Sequence, residues 1–202
     1  MLKTVLIFRT HGVMVYSHSY TVGGKEPAIV SGFLAAFSSF AKEIGEGQIR
    51  SITMHNSLVL MAIQRDLCFA VFFDQDDDET QGKFILEKMI ESFFLRYQDL
   101  LKQKHVDLNE YQGFTKTLDK LVVMKNVYEI VESTSNLLTI KEIQTTYAEK
   151  FGENVAQAKL KDVAEVLVEN DAIRKITQGK DICYRKKGEL LKGFSAKFKK
   201  NL

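Results

Sequence analysis

Long apolar runs are missing from this 202-residue sequence, and both cysteine and proline are scarce. Its longest uncharged apolar runs fall well short of the roughly 20 residues that a transmembrane helix needs. The opening stretch MLKTVLIFRTHG lacks the longer apolar region and the cleavage site of a secretory signal peptide. Because Cys68 and Cys183 lie far apart in apolar or strand-like segments, we expect two reduced thiols and a cytoplasmic protein.

Neither sign of charge dominates the whole chain, whose net charge is +2, but the charge is unevenly distributed. Residues 1–119 carry 12 Lys and Arg against 15 Asp and Glu, whereas residues 120–202 carry 16 against 11. Most of the excess lies after residue 173, where 10 basic residues accompany 2 acidic ones. This asymmetry predicts two domains with different surfaces, at 1–118 and 119–202.

Five strands are predicted in the first domain. Three segments are apolar at consecutive positions and predict strands buried on both faces: TVLIFR (4–9), LVLMAIQ (58–64) and LCFAVFF (67–73). Two further strands are predicted at 13–20, from β-branched and aromatic residues, and at 48–55, from alternation. The short turns between them favour antiparallel neighbours. We therefore expect an α+β fold with a five-stranded antiparallel sheet, its first and fifth strands adjacent in the middle and helices on both faces.

The only proline, Pro27, suits the first turn of a helix that ends before Gly45 and Gly47. That helix, PAIVSGFLAAFSSFAKEI, has large apolar residues at helical spacing, which we assign to the core: Ile29, Phe33, Phe37, Phe40 and Ile44. Its other side is small and almost uncharged, which suits close approach by another protein or a second copy. The candidate partner-binding residues are Ser31, Ala35, Ser38, Ser39 and Lys42.

An acidic loop, DQDDDET (74–80), precedes a long amphipathic helix that reaches about Leu101. Asp78, Glu79 and Thr80 suit the start of that helix, through capping and the helix dipole. A further helical piece is predicted at about 108–118. These later helices are expected to cover the face of the sheet opposite the first helix.

This order of strands and helices resembles the longin domain, which belongs with the Roadblock domains to a profilin-like group. The resemblance covers about residues 1–118 and is carried by VSGFLAAFSSFAKEI after a hairpin and by the closing helix FFLRYQDLL. The chain begins directly with a strand, whereas Roadblock domains usually begin with an extra helix. The resemblance implies a trafficking module without catalytic residues, whose first helix and neighbouring sheet edge carry assembly contacts.

The C-terminal segment predicts three helices followed by a hairpin. LDKLVVMKNVYEIVES and NVAQAKLKDVAEVLVEND each have one apolar side, and TIKEIQTTYAEKFG has an N-cap candidate in Thr139 and a stop at Gly152. AIRKIT and ICYRKKG form the hairpin, with its turn near Gly179. Three helices and a hairpin resemble a winged helix, over about residues 120–188.

A basic surface is predicted on this hairpin, formed by Arg174, Lys175, Lys180, Arg185, Lys186 and Lys187. Such a surface could contact nucleic-acid phosphates. The third helix, however, carries Asp162, Glu165, Glu169 and Asp171, which would repel a phosphate backbone. A winged helix also serves as a protein-binding module, and the tail ELLKGFSAKFKKNL suits either an interfacial helix on an anionic membrane or a packed terminal helix.

No catalytic, metal-binding or cofactor-binding motif is recognisable in the sequence. His11, His18, His55 and His105 are scattered, and two distant cysteines make no zinc site. The acidic loop lacks the glycine and later glutamate of an EF-hand, and GGKE lacks the spacing of a phosphate-binding loop. We therefore expect no enzyme, no metal and no cofactor.

The function predicted from these observations is that of a non-enzymatic adaptor or regulator in membrane trafficking or small-GTPase signalling. Its expected partners are proteins, among them a small GTPase, a trafficking subunit or a second copy, with anionic membrane contact through the tail and a cytoplasmic or peripheral membrane location. The alternative is a DNA-binding transcription regulator that uses the winged helix and senses or dimerises through the N-terminal domain. A membrane-remodelling subunit is a third hypothesis.

Overall fold

A computed structural model of the chain describes residues 1–21, 26–103 and 107–187. The chain divides into two compact units, Met1–Leu121 and Val122–Leu202. The domain boundary predicted between residues 118 and 119 stays a prediction. The predicted tail helix and His105 lie outside the described residues.

The first unit is built on a five-stranded antiparallel sheet, as predicted. Its strands are β1 (Leu2–Arg9), β2 (Met14–Ser19), β3 (Ser51–Met54), β4 (Ser57–Gln64) and β5 (Leu67–Phe73). Their spatial order is β2-β1-β5-β4-β3, so the first and fifth strands are neighbours in the interior of the sheet. This confirms the expectation drawn from their continuous apolar runs. β3 is shorter than the predicted 48–55.

Helices cover both faces of this sheet. The helix α1 (Pro27–Glu43) packs over β1 and β2, and Leu34 and Ala35 join a core with Leu6 and Phe8. The helix α2 (Glu79–Tyr97) lies on the other face, where the Phe93 ring meets the ring of Phe69 edge to face at 5.7 Å. The two faces differ because neighbouring residues of a strand point in opposite directions.

The start of α2 follows from the acidic loop before it. Asp78 is the N-cap, and its carboxylate accepts a hydrogen bond from the backbone N–H of Thr80 at 2.7 Å. Four residues after Asp78, Gly82 lies against the sheet, where an added Cβ would approach the Leu60 side chain to 2.6 Å. The loop residue Asp74 forms an ion pair with Lys3 at 2.8 Å, and that hydrogen bond lowers the pKa of Asp74.

Two 3-10 helices, Leu100–Lys102 and Leu108–Phe114, precede α3 (Thr115–Glu132). The second of them packs against β2, where the Phe114 ring contacts the Tyr16 ring edge to face at 5.5 Å. The Tyr16 hydroxyl is 2.8 Å from Thr115 Oγ1, and burial raises the pKa of Tyr16 to about 12. The face of the sheet under α2 is thereby closed around a cluster of aromatic rings.

The second unit contains a small three-stranded sheet and helices. In chain order, α3 is followed by β6 (Leu138–Thr139), α4 (Ile140–Phe151), α5 (Gln157–Glu169), β7 (Ile173–Gln178) and β8 (Asp181–Lys186). β8 pairs with both β6 and β7. The predicted N-cap and stop of α4 are confirmed, because Thr139 and Glu142 form a capping box and Gly152 adopts a left-handed conformation, with φ of 71°. None of the helices described here is long and apolar enough to cross a bilayer.

Candidate partner-binding surface

The side of α1 that faces the sheet is its small side. The buried residues of the helix are Ser31, Leu34, Ala35, Ser38 and Ala41. Ser31 is completely buried, and its Oγ donates a hydrogen bond to the carbonyl oxygen of Gly12 at 2.9 Å. The carbonyl oxygen of Ala28 is a second acceptor within reach of the same hydroxyl, at 3.0 Å. A serine at this position therefore links the helix to the turn between β1 and β2.

The close approach of that turn explains the choice of small residues. A Cβ added at Gly12 would lie 3.4 Å from the Cα of Gly32 and 3.6 Å from the Cβ of Ala35. Gly12 also has a φ of 92°, a conformation that favours glycine. A phenylalanine on this side of α1 would hold the helix away from the turn. The phenylalanines of α1 must then point elsewhere.

Apart from the buried Leu34, the largest apolar side chains of this segment point to solvent. We call the five residues the outer stripe, and their exposed fractions are 68% for Ile29, 64% for Phe33, 39% for Phe37, 54% for Phe40 and 56% for Ile44. The prediction that they lie in the core was wrong, since the helix has its other side against the sheet. The Phe33 and Phe37 rings stack nearly parallel on the surface, with centroids 6.0 Å apart and an interplanar angle of 16°.

The outer stripe is comparable in area to the largest apolar patch of a typical monomer. With about 200 Å² for each large side chain, its exposed fractions correspond to on the order of 500 Å² of apolar surface. The largest patch of a typical monomer is about 300–600 Å² and often serves a function. No charged residue occurs in α1 before Lys42, so no charge interrupts the stripe until its last turn. Such a surface suits a protein interface better than open water.

The candidate residues predicted for partner binding must be corrected accordingly. Ser31, Ala35 and Ser38 are buried against the sheet, so the prediction that they form an exposed surface was wrong. Ser38 Oγ has no hydrogen-bond partner among the described atoms. Ser39 and Lys42 are exposed on the same helix, and their role in partner binding stays a prediction.

One edge of the sheet is also open. β3 forms hydrogen bonds with β4 alone among the described strands, and its Ser51, Thr53 and Met54 are exposed. β2, at the opposite edge, has the 3-10 helix Leu108–Phe114 packed against it. An unpaired strand edge is a second place where another chain could add to this unit.

Some of the basic residues at the hairpin form ion pairs within the unit and others do not. Lys175 donates to Glu165 at 2.8 Å, and Lys187 forms an ion pair with Asp171. In the described part of the chain no ion pair is formed by Arg174, Lys180, Arg185 or Lys186. The structure thus brings the predicted basic residues together on β7 and β8 and at the turn between them.

Glu165 of α5 is the acceptor that connects this helix to the hairpin. The Tyr184 hydroxyl donates to the same carboxylate oxygen at 2.9 Å. The hydrogen bond from Lys175 lowers the pKa of Glu165, with help from Tyr184, whereas burial acts in the opposite direction. The pKa of Tyr184 is raised, mainly by burial and further by Glu165.

The other titratable residues that the structure describes form no candidate metal site. Among residues 1–21, 26–103 and 107–187, no group of three or more His, Cys, Asp or Glu could hold a metal ion. His11 and His55 are exposed, and the His18 ring lies edge to face on Tyr20 at 4.6 Å. Cys68 and Cys183 are both free and buried.

Comparison with known proteins gives similarities of fold. No family model matches the chain, and no curated protein does. A Roadblock/LC7 domain from Streptomyces avermitilis is 11% identical, with a TM-score of 0.41 over 48% of this chain and 86% of that one. Myxococcus xanthus MglB is 17% identical, with a TM-score of 0.41 over 48% and 85%. A chain in a homology model of the full-length AP-3 complex is 11% identical, with a TM-score of 0.41 over 85% and 96%.

Proposed function

We propose that this protein is a non-enzymatic adaptor or regulator in membrane trafficking or small-GTPase signalling, and that the outer stripe of α1 binds its protein partner. The observation that carries the proposal is the exposure of five large apolar residues on one helix. Each of them would lose contact with water on binding, and apolar burial is the main source of affinity between proteins. The assignment to trafficking or GTPase signalling rests on the longin resemblance.

The size of the outer stripe is compatible with a protein partner. A stable interface buries about 800 Å² on each partner, and the stripe would supply more than half of that. The exposed residues Ser39 and Lys42 of the same helix would supply polar contacts to the partner. A small GTPase, a trafficking subunit and a second copy of the chain are the partners that we consider.

We further propose that the second unit is a winged helix. The order helix, short strand, two helices and hairpin, with β8 between β6 and β7, supports this assignment. In this hypothesis the first unit binds the protein partner through α1. The second unit contributes a separate surface, the hairpin.

The experiment is a binding comparison with the full chain. Phe33→Glu together with Phe40→Glu places two charges in the outer stripe. Leu95→Glu is the matched control, because Leu95 is 80% exposed and lies on α2. Each variant is used as bait in chemical crosslinking and pull-down from cells of the source organism, with the captured protein identified by mass spectrometry and its binding then measured with purified components. Light scattering on the bait alone measures self-association.

The proposal predicts that the double variant binds a purified partner, or self-associates, with an affinity at least about tenfold lower than the wild type. Leu95→Glu should keep the affinity of the wild type. Two charges buried in an apolar interface should cost at least that much. The proposal is wrong if the double variant binds the same partners, and self-associates, like the wild type. It is also wrong if the purified protein catalyses a reaction that substitutions can abolish.

A further inference from the structure

Two arginines are paired directly across the hairpin of the second unit. In the register of β7 and β8, Arg174 lies opposite Arg185, so both side chains leave the same face of the sheet. Residues opposite one another in an antiparallel pair have Cβ atoms about 4.5–5.5 Å apart, and like charges at that distance destabilise the pair. Both arginines are exposed. An anion placed between them would remove this repulsion.

Ion pairs within the unit leave these two arginines available. Of the acids near the hairpin, Glu165 is paired with Lys175 and Asp171 with Lys187, and Asp181 lies at the turn, four residues from Arg185. Arg174 and Arg185 have no acidic partner in the described part of the chain, and neither do Lys180 at the turn and Lys186 near the end of β8. Arg174 and Arg185 therefore remain, on one face of the hairpin, for a ligand outside the chain.

We propose that this hairpin is the contact surface of the protein for an anionic membrane, with Arg174 and Arg185 binding lipid phosphate or carboxylate groups. The guanidinium group forms two parallel hydrogen bonds with such groups, which a lysine ammonium cannot do. The turn of the hairpin is exposed on every residue from 177 to 182.

The exposed acids on and after α5 favour a membrane over a nucleic acid. Recognition of duplex DNA by helix-and-hairpin units places a helix in the major groove, between two phosphate backbones. Asp162 and Glu169 are exposed on α5, and the exposed Asp171 follows it, so such an approach would bring three acids towards phosphates. A planar membrane, by contrast, could be contacted by the hairpin alone, without α5 approaching the phosphates.

The sequence that follows β8 points in the same direction. Residues 188–202 lie outside the described part of the chain. Four large apolar residues occur among four lysines: Leu190, Leu191, Phe194 and Phe198 with Lys192, Lys197, Lys199 and Lys200. Segments that combine apolar and basic residues in this way bind anionic bilayers.

The test is co-sedimentation of the full-length protein with vesicles of phosphatidylcholine, either alone or mixed with phosphatidylserine. We expect binding to the mixed vesicles only. Arg174→Gln with Arg185→Gln should weaken it by about 30-fold, since each basic residue contributes about fivefold at an anionic surface. Lys159→Gln with Lys161→Gln is the matched control. It removes the same charge from exposed positions of α5 and should leave binding within about threefold of the wild type.

Thermal unfolding shows whether the arginine variant loses vesicle binding because it unfolds or because it lacks the two arginines. Because the arginine pair is repulsive, the arginine variant should unfold at the same temperature as the wild type or a higher one. The proposal is overturned if the arginine variant binds mixed vesicles like the wild type, if both variants lose binding equally, or if the wild type does not prefer mixed vesicles. It is also overturned if short duplex DNA binds through Arg174 and Arg185 at a salt concentration where vesicles do not.

Discussion

Ser31 and Gly12 are joined by a hydrogen bond of 2.9 Å between the first helix and the first turn of the sheet. Ser31→Val would remove this bond, leave the Gly12 carbonyl oxygen without that donor and add a methyl group where the helix is closest to the turn. We expect it to lower the free energy of unfolding by about 1–3 kcal/mol. Urea unfolding of the full chain measures the change.

The control for Ser31 lies two turns along the same helix. Ser39→Val makes the same chemical change at an exposed position, and serine and valine have similar helix propensities. It should change stability by no more than about 0.5 kcal/mol. Equal losses for the two variants would mean that the buried side of α1 has been assigned wrongly.

Phe33 and Phe8 provide the complementary comparison for large residues. Phe33 is 64% exposed on α1, whereas Phe8 is fully buried on β1. Phe8→Ala should cost about 3–5 kcal/mol because it opens a cavity. Phe33→Ala should cost less than about 1 kcal/mol when measured at a concentration low enough to suppress association. If Phe33→Ala destabilised the protein as much as Phe8→Ala, the outer stripe would be part of the core and not exposed.

The sheet was predictable from the sequence because each strand is indicated by its own residues and by the short turns next to it. The part of a strand that is buried on both faces must be apolar throughout, as are β5 and the stretch of β1 from Val5 to Phe8. The short turns then allow few pairings. The caps at Asp78 and Thr139 were recognisable for the same reason, since a single side chain satisfies a nearby backbone N–H.

The orientation of α1 was not predictable in this way. Periodicity shows that a helix has a large apolar side and a small side, but it does not show which side meets the sheet. That depends on how near the β1–β2 turn comes to the helix, where a Cβ added at Gly12 would lie 3.4 Å from the Cα of Gly32. The glycine in the turn, together with small residues recurring along the helix, was the signal that could have indicated close packing. Apolar residues also occur at the surface, so an apolar side does not by itself identify the side of a helix that meets the core.

The two cysteines should be slow to react in the folded protein. Burial raises the pKa of the Cys68 thiol to about 11, and Cys183 is 4% exposed. At neutral pH Cys68 would have about 300-fold less thiolate than an ordinary cysteine of pKa 8.5. Ellman's reagent should therefore detect almost no thiol in the native protein within minutes and two after addition of guanidinium chloride. A thiol that reacts rapidly in the native protein would contradict the buried placement.

The contribution of Glu165 to stability should depend on pH in the acidic range. The hydrogen bond from Lys175 holds the pKa of Glu165 below its ordinary value in the folded protein, so the unfolded chain binds the proton first as the pH falls. The stabilisation is then fully present above the unfolded pKa, near 4.3. It is lost as the pH falls through the lower folded pKa.

Glu165→Gln should thus destabilise the protein at pH 7, and its effect should shrink as the pH falls through the folded pKa of Glu165, where the wild type loses the same charge. Urea midpoints of both proteins at a series of pH values from 7 downwards measure the difference. Glu169→Gln removes an exposed carboxylate from the same helix and is the matched control. If the effect of Glu165→Gln were the same at every pH, packing rather than the charge of Glu165 would hold α5 against the hairpin. The hairpin would then be positioned by Tyr184 and its apolar neighbours, with the ion pair to Lys175 contributing nothing measurable.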